Sequence, residues 1–106
     1  MTRATPVDQA LVDHVSREVA DLLDAGRVGL YEFVWIARQH APTMDEPALR
    51  EHARAALTQV LEREKAVLAW QVWGHPDRGT PAAGAIPRDE DWATPTDAPY
   101  LAVVPL

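Results

Sequence analysis

Residues 45–73, DEPALREHARAALTQVLEREKAVLAWQVW, change from one hydrophobic period to another without an interruption. Apolar residues first recur at spacings of three and four, which predicts an amphipathic helix over residues 45–64. Its apolar stripe consists of Leu49, Ala53, Ala56, Leu57, Val60 and Leu61. From Ala66 onward the period becomes two, as in a β-strand. The segment therefore predicts a helix that leads directly into a strand.

Capping residues mark the start of this helix. Asp45 can act as the N-cap, because its carboxylate can accept hydrogen bonds from the first backbone N–H groups. Pro47 suits the first turn, where its missing N–H would have no partner in any case. Thr43 with Glu46 forms an alternative capping box.

A second amphipathic helix is predicted over residues 7–24, before the segment just described. Its apolar stripe is Leu11, Val12, Val15, Val19, Leu22 and Leu23. Asp8 can cap its N-terminus, and Gly26 suits its C-terminus because glycine adopts the left-handed conformation easily.

Residues 30–40 lie between these two helices and are apolar on more than one face. One stripe is Leu30, Phe33, Val34 and Ala37. Tyr31 and Trp35 form a second stripe, about a hundred degrees away. A strand is the competing interpretation, because these residue types favour β structure. The spacing of four and the preceding glycine turn favour a central helix that packs on two sides.

The C-terminal part of the chain contains most of the proline and glycine residues. Residues 74–99 are expected to form a long irregular loop, in which residues 88–92 form one acidic helical turn that anchors Trp92. Residues 100–104 then predict the partner of the strand that follows the third helix. Residues 27–29 could pair as a short first strand.

Composition and length predict one soluble domain over residues 1–106, with residues 1–6 as a tail and residues 74–99 as its long loop. The chain is 47% hydrophobic and 25% charged, as is usual for globular proteins. It has no cysteine, which excludes disulfides and thiolate zinc sites. It also has no apolar run near the roughly 18–20 residues needed to span a bilayer. A cytoplasmic protein without membrane contact is expected.

The charge distribution argues against nucleic acid as the partner. The net charge is −6, and no segment of the chain is basic overall. Proteins that bind nucleic acid gain much of their affinity by neutralising phosphates, and they normally present a basic stripe.

Few residues are arranged for catalysis or metal binding. His14 and Glu18 have the i, i+4 spacing of a metal-binding pair, but one pair without further ligands predicts no metal and no cofactor. His52 borders the apolar stripe of the third helix, where a histidine bonded to backbone is the commoner case. Ser16 is the only serine and lacks a nucleophile-elbow motif. We expect no catalytic residues and no enzymatic activity.

The four tryptophans carry the most functional information. Trp35 and Trp70 are expected to fill the space between the helices and the sheet. Trp73 points away from Trp70 on the same strand and shares its face with Val67. That face is either covered by the long loop or free to bind a partner or a second copy of the chain. The predicted partner-binding residues are Trp73, Val67 and Trp92.

The order of elements resembles that of the winged-helix superfamily, over about residues 7–105. The resemblance implies an α+β fold in which three helices pack on a small antiparallel hairpin with a long Pro/Gly-rich wing loop. In DNA-binding members, the third helix enters the major groove and the wing touches the DNA backbone or the minor groove. The corresponding residues here are Arg50, Arg54, Thr58, Arg78 and Arg88. Acidic residues depart from that pattern, namely Glu46, Glu51 and Glu62 in the helix and Asp77, Asp89, Glu90 and Asp91 in the loop.

Two functional hypotheses follow from these features. The favoured one is a non-catalytic protein-interaction module, such as an adaptor, immunity or accessory protein, with a homodimer as a further option. The alternative is a DNA-binding transcriptional regulator that uses the third helix and the wing. Fold alone does not decide between them.

Overall fold

Within the part of the chain that the structure describes, three helices and a four-stranded antiparallel sheet form an α+β fold. The computed structural model describes residues 7–72, 75–96 and 98–106. For residues 75–78 it describes the backbone and not the side chains. The helices are α1 (Gln9–Leu23), α2 (Leu30–His40) and α3 (Glu46–Arg63). The strands are β1 (Val28–Gly29), β2 (Ala66–Val72), β3 (His75–Pro81) and β4 (Tyr100–Pro105), and Asp89–Trp92 forms a 3₁₀ turn. No helix in the described residues has both the length and the apolar character needed to cross a membrane.

The two aspartates predicted as N-caps do cap their helices. The Asp8 carboxylate accepts hydrogen bonds from the backbone N–H groups at the start of α1. The Asp45 carboxylate accepts one from the Ala48 N–H at 2.9 Å, and Pro47 lies in the first turn of α3. Each carboxylate satisfies N–H groups that have no partner inside the helix. The Asp45 cap, rather than the alternative capping box, therefore begins α3.

The aromatic segment forms the helix α2 and not the competing strand. Leu30, Phe33, Val34 and Ala37 are all buried, as their spacing predicts. The backbone N–H of Gly29 donates a hydrogen bond of 2.7 Å to the Glu32 carboxylate at the start of the helix. This helix packs against both α1 and α3 and supplies Phe33 to the centre of the core.

His52 joins the start of α1 to the first turns of α3. Its side chain is 1% exposed and is bonded to two backbone groups, as predicted for a histidine at the edge of the core. The backbone N–H of Asp8 donates to Nε2 at 2.9 Å, and Nδ1 lies 2.7 Å from the carbonyl oxygen of Ala48. One ring nitrogen thus accepts while the other donates, which is the pattern of a neutral imidazole.

The last strand lies in the middle of the sheet. The strand order is β1-β4-β2-β3, with all neighbours antiparallel. Val28 of β1 and Leu68 of β2 both lie opposite Val103 of β4, and all three side chains belong to the hydrophobic core. The predicted pairing of residues 100–104 with the strand after α3 is confirmed, as is the short first strand.

The prediction of an irregular loop over residues 74–99 is wrong for its first part, which forms strand β3. It pairs with β2 at the edge of the sheet, and the register shifts between Trp70 and Val72. Prolines are tolerated in an edge strand because its outer side has no neighbouring strand to which backbone N–H groups must donate. Gly79 also allows a close approach, since a Cβ at this position would lie 2.7 Å from Nε2 of Gln71. The predicted acidic turn is present as Asp89–Trp92.

Replacing Asp45 by alanine is expected to lower the free energy of unfolding by about 1 kcal/mol, because the Ala48 N–H loses its acceptor. Urea denaturation followed by circular dichroism measures this loss. Asp21→Ala is the matched control, because Asp21 is exposed on α1 and its removal changes the net charge equally. Equal destabilisation by both substitutions would show that charge, and not capping, is responsible.

Candidate functional site

Three aromatic side chains meet where α2 lies beside β4. The Tyr31 ring is edge-on to Trp35, with centroids 4.8 Å apart, and edge-on to Tyr100 at 5.9 Å. Such edge-to-face pairs are attractive because the positive ring edge meets the negative ring face. The indole Nε1–H of Trp35 also donates a hydrogen bond of 3.3 Å to Oγ1 of Thr94. We refer to Trp35, Tyr31 and Tyr100 as the aromatic cluster.

Gly29 allows the Tyr31 ring to lie against the backbone of β1. A Cβ at Gly29 would come within 2.7 Å of Cδ1 of Tyr31 and 3.3 Å of Cε2 of Tyr100, so a larger residue would displace the rings. Burial raises the pKa of the Tyr31 phenol above its ordinary value, and the nearby Glu32 carboxylate adds to this effect. The Tyr31 phenol is therefore uncharged at physiological pH.

Trp35 is the most exposed member of the aromatic cluster. The prediction that it fills the space between helices and sheet is wrong, because its side chain is 45% exposed. The stripe that contains Phe33 faces the core, and this orientation turns the stripe of Tyr31 and Trp35 toward the sheet edge and solvent. That second stripe is the signal in the sequence that marks the site. Trp70 is half-buried against the core.

Apolar residues of the outer sheet face follow the cluster along β4, with the fully buried Ala102 between the half-buried Tyr100 and Val104. The alternation along β4 places Tyr100, Ala102 and Val104 on the face opposite the core residue Val103. Val104 lies directly opposite Val67, and both side chains are half-buried. Val67, predicted as a partner-binding residue, thus shares a sheet face with Tyr100. Trp73, predicted on the same face, lies outside the described residues.

Trp92, the other residue predicted to bind a partner, is a core residue. Its side chain is 2% exposed and lies edge-on to Phe33, with centroids 6.2 Å apart. The guanidinium carbon of Arg54 lies 5.8 Å from the indole centroid, within the range of a cation–π contact. The 3₁₀ turn is thus anchored on the body of the protein as predicted. The indole itself is not accessible to a partner in this position.

The arginines predicted to contact DNA pair with carboxylates. Arg50 lies 3.9 Å from Asp89, and Arg54 lies 3.2 Å from Asp89 and 2.8 Å from Glu51. Arg88 contacts acidic residues within the 3₁₀ turn, at 2.9 Å and 3.8 Å. The Thr58 hydroxyl donates to the carbonyl oxygen of Arg54 at 3.2 Å. The side chain of Arg78 lies outside the described residues.

A polar groove between α1 and α3 has a volume of about 310 Å³. Asp13 in this groove accepts hydrogen bonds from the side chains of Gln9, at 2.8 Å, and Gln59, at 3.2 Å. These bonds lower the pKa of the Asp13 carboxyl below its ordinary value, because they favour the ionised form. Ser16, the only serine of the chain, donates to the Ala56 carbonyl oxygen and accepts from Gln59. The serine hydroxyl therefore connects the two helices.

No protein-family model, curated protein or solved structure matches this chain. Its function must therefore be inferred from its own residues and their arrangement.

Gln9→Ala is expected to raise the pKa of Asp13 toward the ordinary value of a carboxyl. The substitution removes the hydrogen bond from Gln9, which lowers this pKa more than the bond from Gln59 does. The lowered pKa stabilises the fold above the unfolded-state value, and this contribution disappears as the pH falls through the folded-state value. Side-chain carbon shifts followed by NMR between acidic and neutral pH measure the pKa. Gln39→Ala, an exposed glutamine on α2, is the control and should leave the titration of Asp13 unchanged.

Proposed function

We propose that this chain is a non-catalytic protein-interaction module that binds a protein partner through its aromatic cluster and the adjoining outer sheet face. The observation that carries the proposal is the position of Trp35. Its indole is 45% exposed, yet it is held by Tyr31 on one side and by Thr94 at its Nε1–H. An aromatic side chain fixed before binding loses little conformational freedom when a partner covers it.

The surroundings of Trp35 resemble the anatomy of protein interfaces. Aromatic residues are enriched at such interfaces, and tryptophan and tyrosine are frequent among the residues that contribute most binding energy. The half-buried pair of Val67 and Val104 extends the apolar area along the sheet. The net charge of −6 favours a partner whose contact surface has a basic rim. A second copy of this acidic chain is less favourable on the same ground.

The order of elements supports a winged-helix-like architecture for this module. A helix, a short strand, two helices and a strand follow one another, and the last strand lies between β1 and β2. The added strand β3 extends the sheet beyond β2. A cytoplasmic location and the absence of catalytic activity are part of the same proposal and rest on the sequence.

The alternative, DNA binding through α3, receives less support from the charges around this helix. Arg50 and Arg54 would have to leave Asp89 before they could bind phosphate or bases. The turn that carries Asp89 is anchored by the buried Trp92, so the carboxylate stays beside the helix. A groove-binding helix would thus bring a paired negative charge toward the DNA backbone, which opposes binding.

Trp35→Ser is expected to reduce partner binding by at least about tenfold, because it removes the central aromatic contact of the surface. A photo-crosslinking amino acid in place of the exposed Gln39, one helical turn beyond Trp35, identifies the partner in cells, and affinity for that partner is then measured for wild type and Trp35→Ser. Ile86→Ser is the matched control, since Ile86 is 89% exposed and apolar but lies outside the surface. Equal affinity of wild type and Trp35→Ser for the crosslinked protein would contradict the proposed surface.

Duplex DNA is expected to give no electrophoretic shift with this protein at physiological salt, because Arg50 and Arg54 of α3 are already paired with carboxylates. Asp89→Ala should increase any weak binding at low salt, since it frees Arg50 and removes one of the two carboxylates paired with Arg54. A clear shift of DNA by the wild-type protein, weakened by Arg50→Ala or Arg54→Ala, would instead favour the regulator hypothesis. Circular dichroism of each variant verifies that it is folded.

A further inference from the structure

Two histidines and one glutamate meet where α1 lies beside the end of α2. Nε2 of His14 lies 3.0 Å from Oε1 of Glu18, and Nε2 of His40 lies 3.9 Å from the same oxygen. The two imidazole rings are in contact, with centroids 3.6 Å apart. The ligand atoms of all three residues lie within 4.8 Å of one another. His40 thus supplies the third ligand that the i, i+4 pair on α1 lacks.

Two of the three ligand-atom separations are close to those required by a small tetrahedral metal centre. Zinc binds imidazole nitrogen at about 2.0–2.1 Å and carboxylate oxygen at about 2.0–2.2 Å. Tetrahedral geometry with these bonds places neighbouring ligand atoms about 3.3 Å apart. The separations from Oε1 of Glu18, 3.0 Å and 3.9 Å, lie on either side of that value. Side-chain rotations that also move the two rings apart would bring the three ligands around one ion, since all three ligand atoms already lie within 4.8 Å of one another.

The backbones that present these ligands are fixed by the core. His14 and Glu18 are one turn apart on α1, whose neighbouring residues Val15 and Val19 are fully buried. His40 is the last residue of α2 and follows the buried Ile36 and Ala37. Ligands on two packed helices keep their separation in the absence of metal, which reduces the ordering cost of binding.

We propose that His14, Glu18 and His40 bind one divalent transition-metal ion, with Zn²⁺ as the preferred ion. Two imidazoles and one carboxylate suit zinc and its neighbours, whereas Mg²⁺ and Ca²⁺ prefer sets of oxygen ligands. The three side chains are between about one-third and one-half exposed, so the ion has open access and keeps a position for water. The bound ion cross-links α1 to the C-terminal end of α2.

Isothermal titration of the untagged, chelator-treated full chain with ZnCl₂ tests this proposal. One Zn²⁺ should bind per chain, and the thermal midpoint should rise by several degrees because the ion binds only the folded state. His14→Ala, Glu18→Gln and His40→Ala should each weaken binding about tenfold or more, since each removes one of three ligands. MgCl₂ should produce neither saturable heat nor a shift in the midpoint.

Asp21→Asn and Gln39→Ala are the matched controls. Both residues are exposed and lie on the same two helices, and neither supplies one of the three ligands. These variants should bind Zn²⁺ as the wild-type protein does. The proposal is overturned if wild-type protein shows no saturable binding, or if any of the three ligand variants keeps wild-type affinity. Circular dichroism of the metal-free variants separates loss of a ligand from loss of the fold.

Discussion

The pairing of β4 with both β1 and β2 is the constraint on which the other features depend. It brings the end of the chain between two segments that are separated from each other by α2 and α3. Val103 then completes the core beside Val28 and Leu68, while Tyr100 on the other face meets Tyr31. The same return of the chain places the stretch before β4 across α2 and α3. The core, the aromatic cluster and the 3₁₀ turn are therefore consequences of one strand position.

Burial holds the 3₁₀ turn in place, and charge determines what it presents. Removing a large apolar side chain from water contributes about 1.5–3 kcal/mol, whereas an exposed ion pair typically contributes less than about 1 kcal/mol. Trp92, packed against Phe33, is thus the anchor, and the pairs between Asp89 and the α3 arginines are secondary in energy. These ion pairs matter for the electrostatics of α3, because they neutralise the arginine charges that a DNA-binding helix would use.

The sequence predicts the elements that depend on local chemistry better than those that depend on distant partners. The helix caps at Asp8 and Asp45 follow from side chains that bond to nearby backbone. Strand β3 does not follow, because its glycine and prolines oppose β structure locally and only the edge position beside β2 permits it. The contact of His40 with Glu18 depends on how two helices pack, so their spacing along the chain contains no sign of it.

The exposure of Trp35 also depends on distant parts of the chain, so the sequence alone does not predict it, and this exposure bears on function. A second apolar stripe on a helix indicates that something covers it, but only the fold shows whether this cover comes from the same chain. Here the chain buries a polar residue, His52, with its hydrogen bonds made, while it leaves a large indole 45% exposed. Core burial of Trp35 would have gained hydrophobic free energy, but its indole N–H would have had to exchange Thr94 for an acceptor inside the core. A partner that covered the indole would gain that free energy, which is the physical basis of the proposal that an interaction site lies on this side of α2.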